Sequence, residues 1–240
     1  MTRNHHDVNA QEIILRLRAL ASHENVAGMA RFGIVTKEAF GVPGPQLKLI
    51  ARELKSKLND PHALACDLWN TGIHEARIIA YLIDDPKLVT PEQMDRWAAD
   101  FDNWAICDST CGRLFSHTSF AYEKAFEWSE RDELFVKRAG IVLAAWLAVH
   151  DKKAGDEAIA LFLPMLERHA GDERDLIRKA VSWSLRQIGK RNLQLNALAI
   201  QTAERIKAQD TKSAWWIASS VSRELTSKKL LARLRAQKVK

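Results

Sequence analysis

The sequence predicts an all-α protein built as an α-solenoid, a stack of antiparallel helix pairs. Apolar residues recur at three- and four-residue spacing along most of the chain, and no segment alternates between apolar and polar residues as a strand would. The breaks between periodic segments are short, which favours consecutive helices that pack as antiparallel neighbours. A compact irregular bundle fits the same pattern and stays open as an alternative.

Eight segments carry this periodicity. In each, the apolar residues fall on one side of a helix with about 100° between successive side chains. The predicted helices cover residues 13–20, 47–58, 63–69, 76–83, 135–147, 159–166, 177–188 and 193–206.

The breaks contain the residues that start and stop helices. Proline is tolerated in the first turn of a helix, because its missing N–H would have no partner there. Pro45 and Pro91 therefore predict helix starts. The breaks fall at residues 41–45, 59–61, 84–86, 90–91 and 171–172.

Composition is that of an ordinary globular protein, with 47% hydrophobic and 28% charged residues in a chain of 240. No apolar run is long enough to span a bilayer, and the N-terminus lacks the apolar run of a signal peptide. We therefore expect a cytoplasmic protein without membrane contact. We expect one domain over residues 1–240, with 226–240 as a basic helix or tail.

The cysteines point to no metal site. Cys66, Cys107 and Cys111 form no disulfide framework and no complete ligand set, so we interpret them as small buried residues. The pair His74 and Glu75 lacks the second histidine of a zinc-protease helix. No metal and no other cofactor is predicted.

Net charge is +6, but it is unevenly distributed. Residues 171–240 carry sixteen lysines and arginines against six acidic residues, whereas the first 170 residues carry twenty against twenty-four. A basic C-terminal third indicates a polyanionic partner, and a solvated basic surface is the alternative.

Two helix faces within the chain concentrate cations. Lys179, Trp183, Arg186 and Lys190 fall within about 60° of one another on a helical wheel, opposite an apolar side. Cations that flank an aromatic ring are typical of nucleic-acid contacts, where phosphate meets charge and a base or sugar meets the ring. A weaker face of the same kind combines Lys48, Arg52 and Lys55. A solenoid would present such faces along a concave surface suited to duplex DNA.

Trp104 and Asp108 lie one helical turn apart, which places a carboxylate beside an indole. Such a pair can stabilise a cation through Coulomb attraction and a cation–π contact. Ile106 and Thr110 point elsewhere and can join the core. A half-buried tryptophan beside a surface aspartate is the simpler alternative.

Several blocks in the same order resemble the HEAT-like-repeat DNA alkylation repair family, the AlkD-type alkylpurine DNA glycosylases. The resemblance runs from about residue 40 to residue 191. Its blocks are GVPGPQLK at 41–48, ALACDLWNTGIHEARIIA at 63–80, NWAICD at 103–108 within 94–115, VKRAGI at 136–141 and IRKAVSWSLR at 177–186.

The resemblance implies a HEAT-like solenoid that holds duplex DNA in a concave basic face. It also implies excision of positively charged N3- and N7-alkylated purines without base flipping. We expect the protein to act as a monomer that needs no cofactor. The catalytic residues that match are Trp104, Asp108, Arg138 and Trp183. The residues assigned to DNA binding are Lys48, Arg52, Lys137, Lys179, Arg186 and Lys190.

The sequence departs from the family at one position in the NWAICD block. Asn103 stands where some members carry another aromatic residue, which leaves the range of substrates open. His74 and Glu75 lie in a resembling block, where we expect a structural role. Two other functions stay open: a catalytically silent protein that binds damaged or branched DNA, and a solenoid that binds another protein.

Overall fold

The computed structural model describes residues 8–237, and within them every regular element is helical. The all-α prediction is confirmed. The residues at 238–240, which belong to the predicted basic tail, and the N-terminal seven lie outside the described part of the chain. None of the helices in residues 8–237 has the length and apolar character that a bilayer crossing requires.

Fifteen α-helices and one 3₁₀ turn follow one another in residues 8–237. The 3₁₀ turn is Phe115–His117, between α7 and α8. The helices are α1 Ala10–Ala19, α2 His23–Arg31, α3 Gly44–Lys57, α4 Pro61–Asn70, α5 His74–Ile83, α6 Pro91–Ala99, α7 Trp104–Arg113, α8 Ala121–Ser129, α9 Leu134–His150, α10 Asp156–Ala160, α11 Phe162–Arg168, α12 Asp175–Gly189, α13 Leu193–Lys207, α14 Lys212–Leu225 and α15 Lys228–Gln237.

Side-chain caps explain where many of these helices begin. A side-chain oxygen before the first turn accepts a backbone N–H that has no partner inside the helix. Thr90 caps α6 in this way, and Pro91 follows it in the first turn, as the sequence predicts. Pro45 lies in the first turn of α3. The other capping side chains are Asn9, Ser22, Asp60, Asn103, Asn192 and Thr211.

The prediction of one continuous helix is wrong for one segment, which forms two helices. The segment 159–166 is divided between α10 and α11, with the break at Leu161. Pro164 has no N–H to donate to the carbonyl of Ala160, so the helical hydrogen-bond ladder is interrupted there. The structure also contains helices that the periodicity did not single out, among them α2, α8 and α14.

The contacts divide the chain into two compact units, which comprise residues 8–118 and 119–237 of the described chain. In the first unit α5 packs against α3 and α7. In the second unit α12 packs against α9 and α14, while α13 packs against α11 and α14. We call α3–α5–α7 the first row and α9–α12–α14 the second row. The expectation of one domain over 1–240 stays a prediction.

Glu75 fixes the segment that leads into α3. Its carboxylate is buried and accepts the backbone N–H groups of Phe40, Gly41 and Val42 at 2.9, 2.6 and 3.3 Å. Gly41 has a φ of +75°, and a Cβ at this position would lie 2.3 Å from the carbonyl oxygen of Ser22. The structural role expected for Glu75 is therefore confirmed.

A glycine brings α8 and α9 into close contact in the second unit. A Cβ on Gly140 would lie 2.4 Å from the backbone nitrogen of Ser129 and 2.8 Å from the carbonyl oxygen of Ala125. The backbone of α8 leaves no room for a side chain at this position. This close approach fixes α9, which carries Lys137 and Arg138.

Candidate functional site

All ten residues predicted from the sequence lie on the two rows of helices. Four belong to the first row, on α3 and α7. Six belong to the second row: five lie on α9 and α12, and Lys190 is the residue that directly follows α12. In the first row they are Lys48, Arg52, Trp104 and Asp108. In the second row they are Lys137, Arg138, Lys179, Trp183, Arg186 and Lys190.

Helix α7 presents Trp104 and Asp108 on its partly exposed side. Ile106 and Thr110 are buried, as the spacing predicts. Asn103 is buried as well, and its side-chain oxygen accepts the N–H groups of Ala105 and Ile106 at 3.0 Å each. An aromatic side chain could not cap the helix in this way, so the departure at position 103 has a local structural reason.

The loop after α2 holds the indole of Trp104. Its Nε1 donates a hydrogen bond of 2.9 Å to the carbonyl oxygen of Phe32, and Thr36 donates one of 3.0 Å to Asp102. The side chains of Phe32 and Val35 are 72% and 69% exposed. Because its N–H is used within the protein, Trp104 is restricted to contacts through its ring face and ring edge.

A buried cluster positions the segment that enters α7. Trp69 stacks on Trp97 with ring centroids 4.0 Å apart, and its Nε1 donates to the carboxylate of Asp100 at 2.9 Å. The guanidinium of Arg77 lies 5.2 Å from the centroid of Trp69 and donates to the carbonyl oxygen of Asp100 at 2.9 Å. These contacts fix the chain immediately before the capping residue Asn103.

Helix α3 exposes Lys48, Arg52 and Lys55 on one side. Within residues 8–237 no carboxylate forms an ion pair with any of the three. The opposite side packs in the core, as predicted, through Leu47, Ile50 and Leu54.

Helix α9 places its two predicted cations in buried positions. Lys137 and Arg138 are only 8% and 6% exposed. Arg138 donates from Nη1 to the carbonyl oxygen of Leu176 in the first turn of α12. Lys137 lies near His169, whose pKa is lowered by burial of the ring and further by the Lys137 ammonium. The functional roles of both residues stay predictions.

Helix α12 is strongly amphipathic. Lys179 is exposed, and Trp183, Arg186 and Lys190 are partly exposed, all on one side. The opposite side is completely buried, as the sequence predicts, and consists of Ile177, Val181, Leu185 and Ile188.

A carboxylate from α14 neutralises part of this face. Glu224 accepts from Nη1 of Arg186 through Oε2 and from Nζ of Lys190 through Oε1, both at 2.7 Å. Burial raises the pKa of Glu224, but the two cations outweigh it and hold the pKa below its usual value. We call Arg186, Lys190 and Glu224 the Glu224 clamp.

The other two residues of the face also have partners. Lys179 pairs with Asp175 one turn earlier, at 2.6 Å. Trp183 contacts Trp146 of α9 edge to face, with centroids 5.3 Å apart and an angle of 86° between the rings. The exposed side of α12 therefore consists of a tryptophan ordered by a ring contact and of cations that are paired with carboxylates.

A family model described as "DNA alkylation repair enzyme" matches residues 13–218. The chain belongs to the DNA alkylation repair enzyme family. The matched segment contains all ten predicted residues, whereas Glu224 lies beyond it. No curated protein matches the chain.

A solved structure has the same fold. It is described as "a new family of proteins related to the HEAT-like repeat DNA glycosylases with affinity for branched DNA structures". It superposes with a TM-score of 0.73 at 21% identity, over 91% of this chain and 96% of that chain. The predicted HEAT-like repeat fold class is confirmed.

Sequence reasoning missed three features around the predicted residues. The acceptor for Trp104 is the backbone of Phe32, which no side-chain pattern indicates. Glu224 stands in a basic segment, where its sequence neighbours gave no sign of its partners on α12. The dipeptide of Trp215 and Trp216 was a visible signal, because two adjacent residues of a helix cannot both point to the same core.

Proposed function

We propose that this protein is a DNA glycosylase that hydrolyses the N-glycosidic bond of positively charged N3- and N7-alkylated purines in duplex DNA. The observation that carries the proposal is the pair on α7. Trp104 and Asp108 share the partly exposed side of the helix, and the indole is held by Phe32. Membership of the DNA alkylation repair family supports the same chemistry.

The reaction needs little acid catalysis. An alkylated purine carries a positive charge, so it accepts the electron pair of the glycosidic bond and departs as a neutral base. The remaining barrier is the cationic character that develops on the deoxyribose. A fixed carboxylate and a fixed π surface stabilise that charge more in the transition state than in the ground state. Water then adds to C1′, and in this proposal Asp108 orients the water and takes up its proton.

In this proposal the cations bind the DNA backbone and the chemistry occurs beside Asp108. Phosphates are contacted by Lys48 and Arg52 on α3, by Lys179 and Arg186 on α12, and by Lys190 directly after α12. We assign Arg138 to a phosphate rather than to proton transfer, because a guanidinium stays charged. Trp183 offers an aromatic ring face to the DNA, and the lesion nucleotide stays in the duplex.

The decisive test is the release of 7-methylguanine from duplex DNA under single-turnover conditions. We expect Asp108→Asn to slow release by about 100-fold, because one placed charge is lost from the transition state. Asp67→Asn is the matched control, since Asp67 is an exposed carboxylate on α4 of the same unit. Equal release rates for the native protein and Asp108→Asn would contradict the role of Asp108.

A second function is favoured by the structural relative described as having affinity for branched DNA. In it the protein recognises branched or damaged DNA and breaks no bond. The same assay separates the two functions. DNA binding without base release, in the native protein, would support recognition alone and reject the glycosylase.

A further inference from the structure

Helix α14 is the next helix of the second row, yet none of the predicted residues lies on it. It packs against α12, and two kinds of side-chain contact join the helices. Glu224 reaches Arg186 and Lys190, and Arg178 of α12 lies over the ring of Trp216. The surface that begins on α12 therefore continues onto α14.

Two tryptophans occupy the outer side of α14. Trp215 and Trp216 are 47% and 40% exposed. The inner side is filled by smaller residues, all buried: Ala214, Ile217, Ala218, Val221 and Leu225. Large apolar side chains grouped on a surface indicate a binding site more often than a single exposed residue does.

Cations hold both rings in place. The guanidinium carbon of Arg178 lies 4.8 Å from the centroid of Trp216, and Nζ of Lys207 lies 4.5 Å from that of Trp215. Trp215 also donates from Nε1 to the Asp210 carboxylate at 3.1 Å. Rings that are already ordered lose less conformational entropy when a flat ligand stacks on them.

The surface between and beside the rings is basic. Lys212 and Arg223 are exposed on the same side of α14, and Ser219 lies between Trp216 and Arg223. In the described part of the chain neither of these cations forms an ion pair. Phosphate is the complementary group for such cations, and a small residue leaves room beside the rings.

We propose that the outer face of α14 binds unpaired nucleotides of DNA, with bases stacked on Trp215 and Trp216 and phosphates on Lys212 and Arg223. Bases inside a duplex have both faces covered by their neighbours, so only a single-stranded segment offers free faces for stacking. A fork, overhang or branch would present such a segment next to the duplex. The proposal rests on the DNA-binding part of the proposed function and is independent of base excision.

The experiment compares a leucine variant with a phenylalanine variant at both positions. Trp215→Leu/Trp216→Leu keeps apolar surface but removes stacking, whereas Trp215→Phe/Trp216→Phe keeps a stacking ring. Dissociation constants are measured by fluorescence anisotropy with three probes at one salt concentration. The probes are an oligothymidylate, a blunt duplex and the same duplex with a single-stranded overhang.

We expect the leucine variant to bind the oligothymidylate and the overhang duplex about tenfold more weakly than the native protein, with blunt-duplex binding unchanged. The phenylalanine variant should regain most of this affinity. We expect the oligothymidylate to quench the tryptophan fluorescence of the native protein. Most of this quenching should be absent in the leucine variant. Lys212→Ala/Arg223→Ala should reduce the salt slope for the oligothymidylate by about 1.4.

Three results would overturn the proposal. They are equal binding of all probes by the leucine and native proteins, an equal loss for the blunt duplex, and a phenylalanine variant that binds as weakly as a correctly folded leucine variant.

Retained affinity in the leucine variant would point to an apolar protein partner for this face. Far-ultraviolet circular dichroism establishes that each variant is folded. If the leucine variant does not fold, the phenylalanine variant, which also lacks both tryptophans, tests whether the fluorescence quenching comes from Trp215 and Trp216. Failure of 7-methylguanine release would reject the glycosylase and leave this result unaffected.

Discussion

Two basic helix faces in this protein look alike in sequence and differ in structure. On α3, Lys48, Arg52 and Lys55 are exposed and form no ion pair within residues 8–237. On α12, Arg186 and Lys190 share the carboxylate of Glu224. The α3 face is available to an anion at once, whereas an anion on α12 must first displace a carboxylate.

The difference shows that a count of lysines and arginines does not give the available charge. Glu53 is the single acidic residue of α3, and its carboxylate forms ion pairs with Arg16 and Lys57. It forms none with the three exposed cations of the α3 face. Glu224 instead bridges two cations that the sequence assigns to DNA. A phosphate that replaces this carboxylate gains only the difference between two similar contacts.

The largest expected effect is on the unpaired face. Lys48→Glu/Arg52→Glu should weaken duplex binding about 100-fold at low salt and reduce the salt slope by about 1.8, because two phosphate contacts are replaced by repulsion. Anisotropy titrations over a series of salt concentrations measure both quantities. Lys48→Arg/Arg52→Lys keeps the charge and is the control. Unchanged duplex binding by Lys48→Glu/Arg52→Glu would show that α3 does not contact DNA.

The Glu224 clamp gives the next effect, with the opposite sign. Glu224→Gln should tighten duplex binding about tenfold and steepen the salt slope by up to about 1.8, because two cations become available to phosphates. Glu204→Gln removes the same charge from an exposed position on α13 and controls for net charge. Equal affinities for the two variants would indicate that Arg186 and Lys190 do not contact DNA.

Single alanine variants compare the faces directly. Lys48→Ala should reduce the salt slope by about 0.9. Arg186→Ala should reduce it clearly less, since Glu224 already neutralises part of that charge in the free protein. Both slopes come from titrations with the same duplex. A larger change for Arg186 than for Lys48 would reverse the comparison.

The smallest effect concerns pH and stability. Because Arg186 and Lys190 hold the pKa of Glu224 below its usual value, the clamp contributes stability above pH about 4.5, and this contribution is lost as pH falls through the lowered pKa. We expect Glu224→Gln to reduce the free energy of unfolding by about 1 kcal/mol near neutral pH. The difference should vanish in acid. Urea unfolding at several pH values measures it, and a difference that persists below the lowered pKa would contradict the clamp.

Much of the fold followed from periodicity, because buried helices must place apolar residues on one side. The amphipathic pattern of α12 predicted both its buried side and its partly exposed side correctly. The break within 159–166 was missed, although Pro164 was visible, because the apolar spacing continues through it. Helix α14 was not singled out, since its two tryptophans interrupt the expected separation of apolar and polar sides.

The candidate site was predictable where one helix contains it and obscure where several helices contribute. Spacing alone placed Trp104 and Asp108 on one side of α7. It gave no indication of the Phe32 carbonyl, which is 72 residues away in the chain, or of Glu224. Long-range partners depend on packing, and a single sequence carries no direct record of it.

The carboxylate of Glu75 has a consequence for any fragment or graft of this protein. It fixes the chain at residues 40–42 just before α3, yet it follows α3 in the sequence. A fragment that ends before α5 would contain every cation of α3 and lack the group that orients its approach. Helix α3 therefore does not keep its orientation by itself, and a graft into another scaffold must include α5 as well.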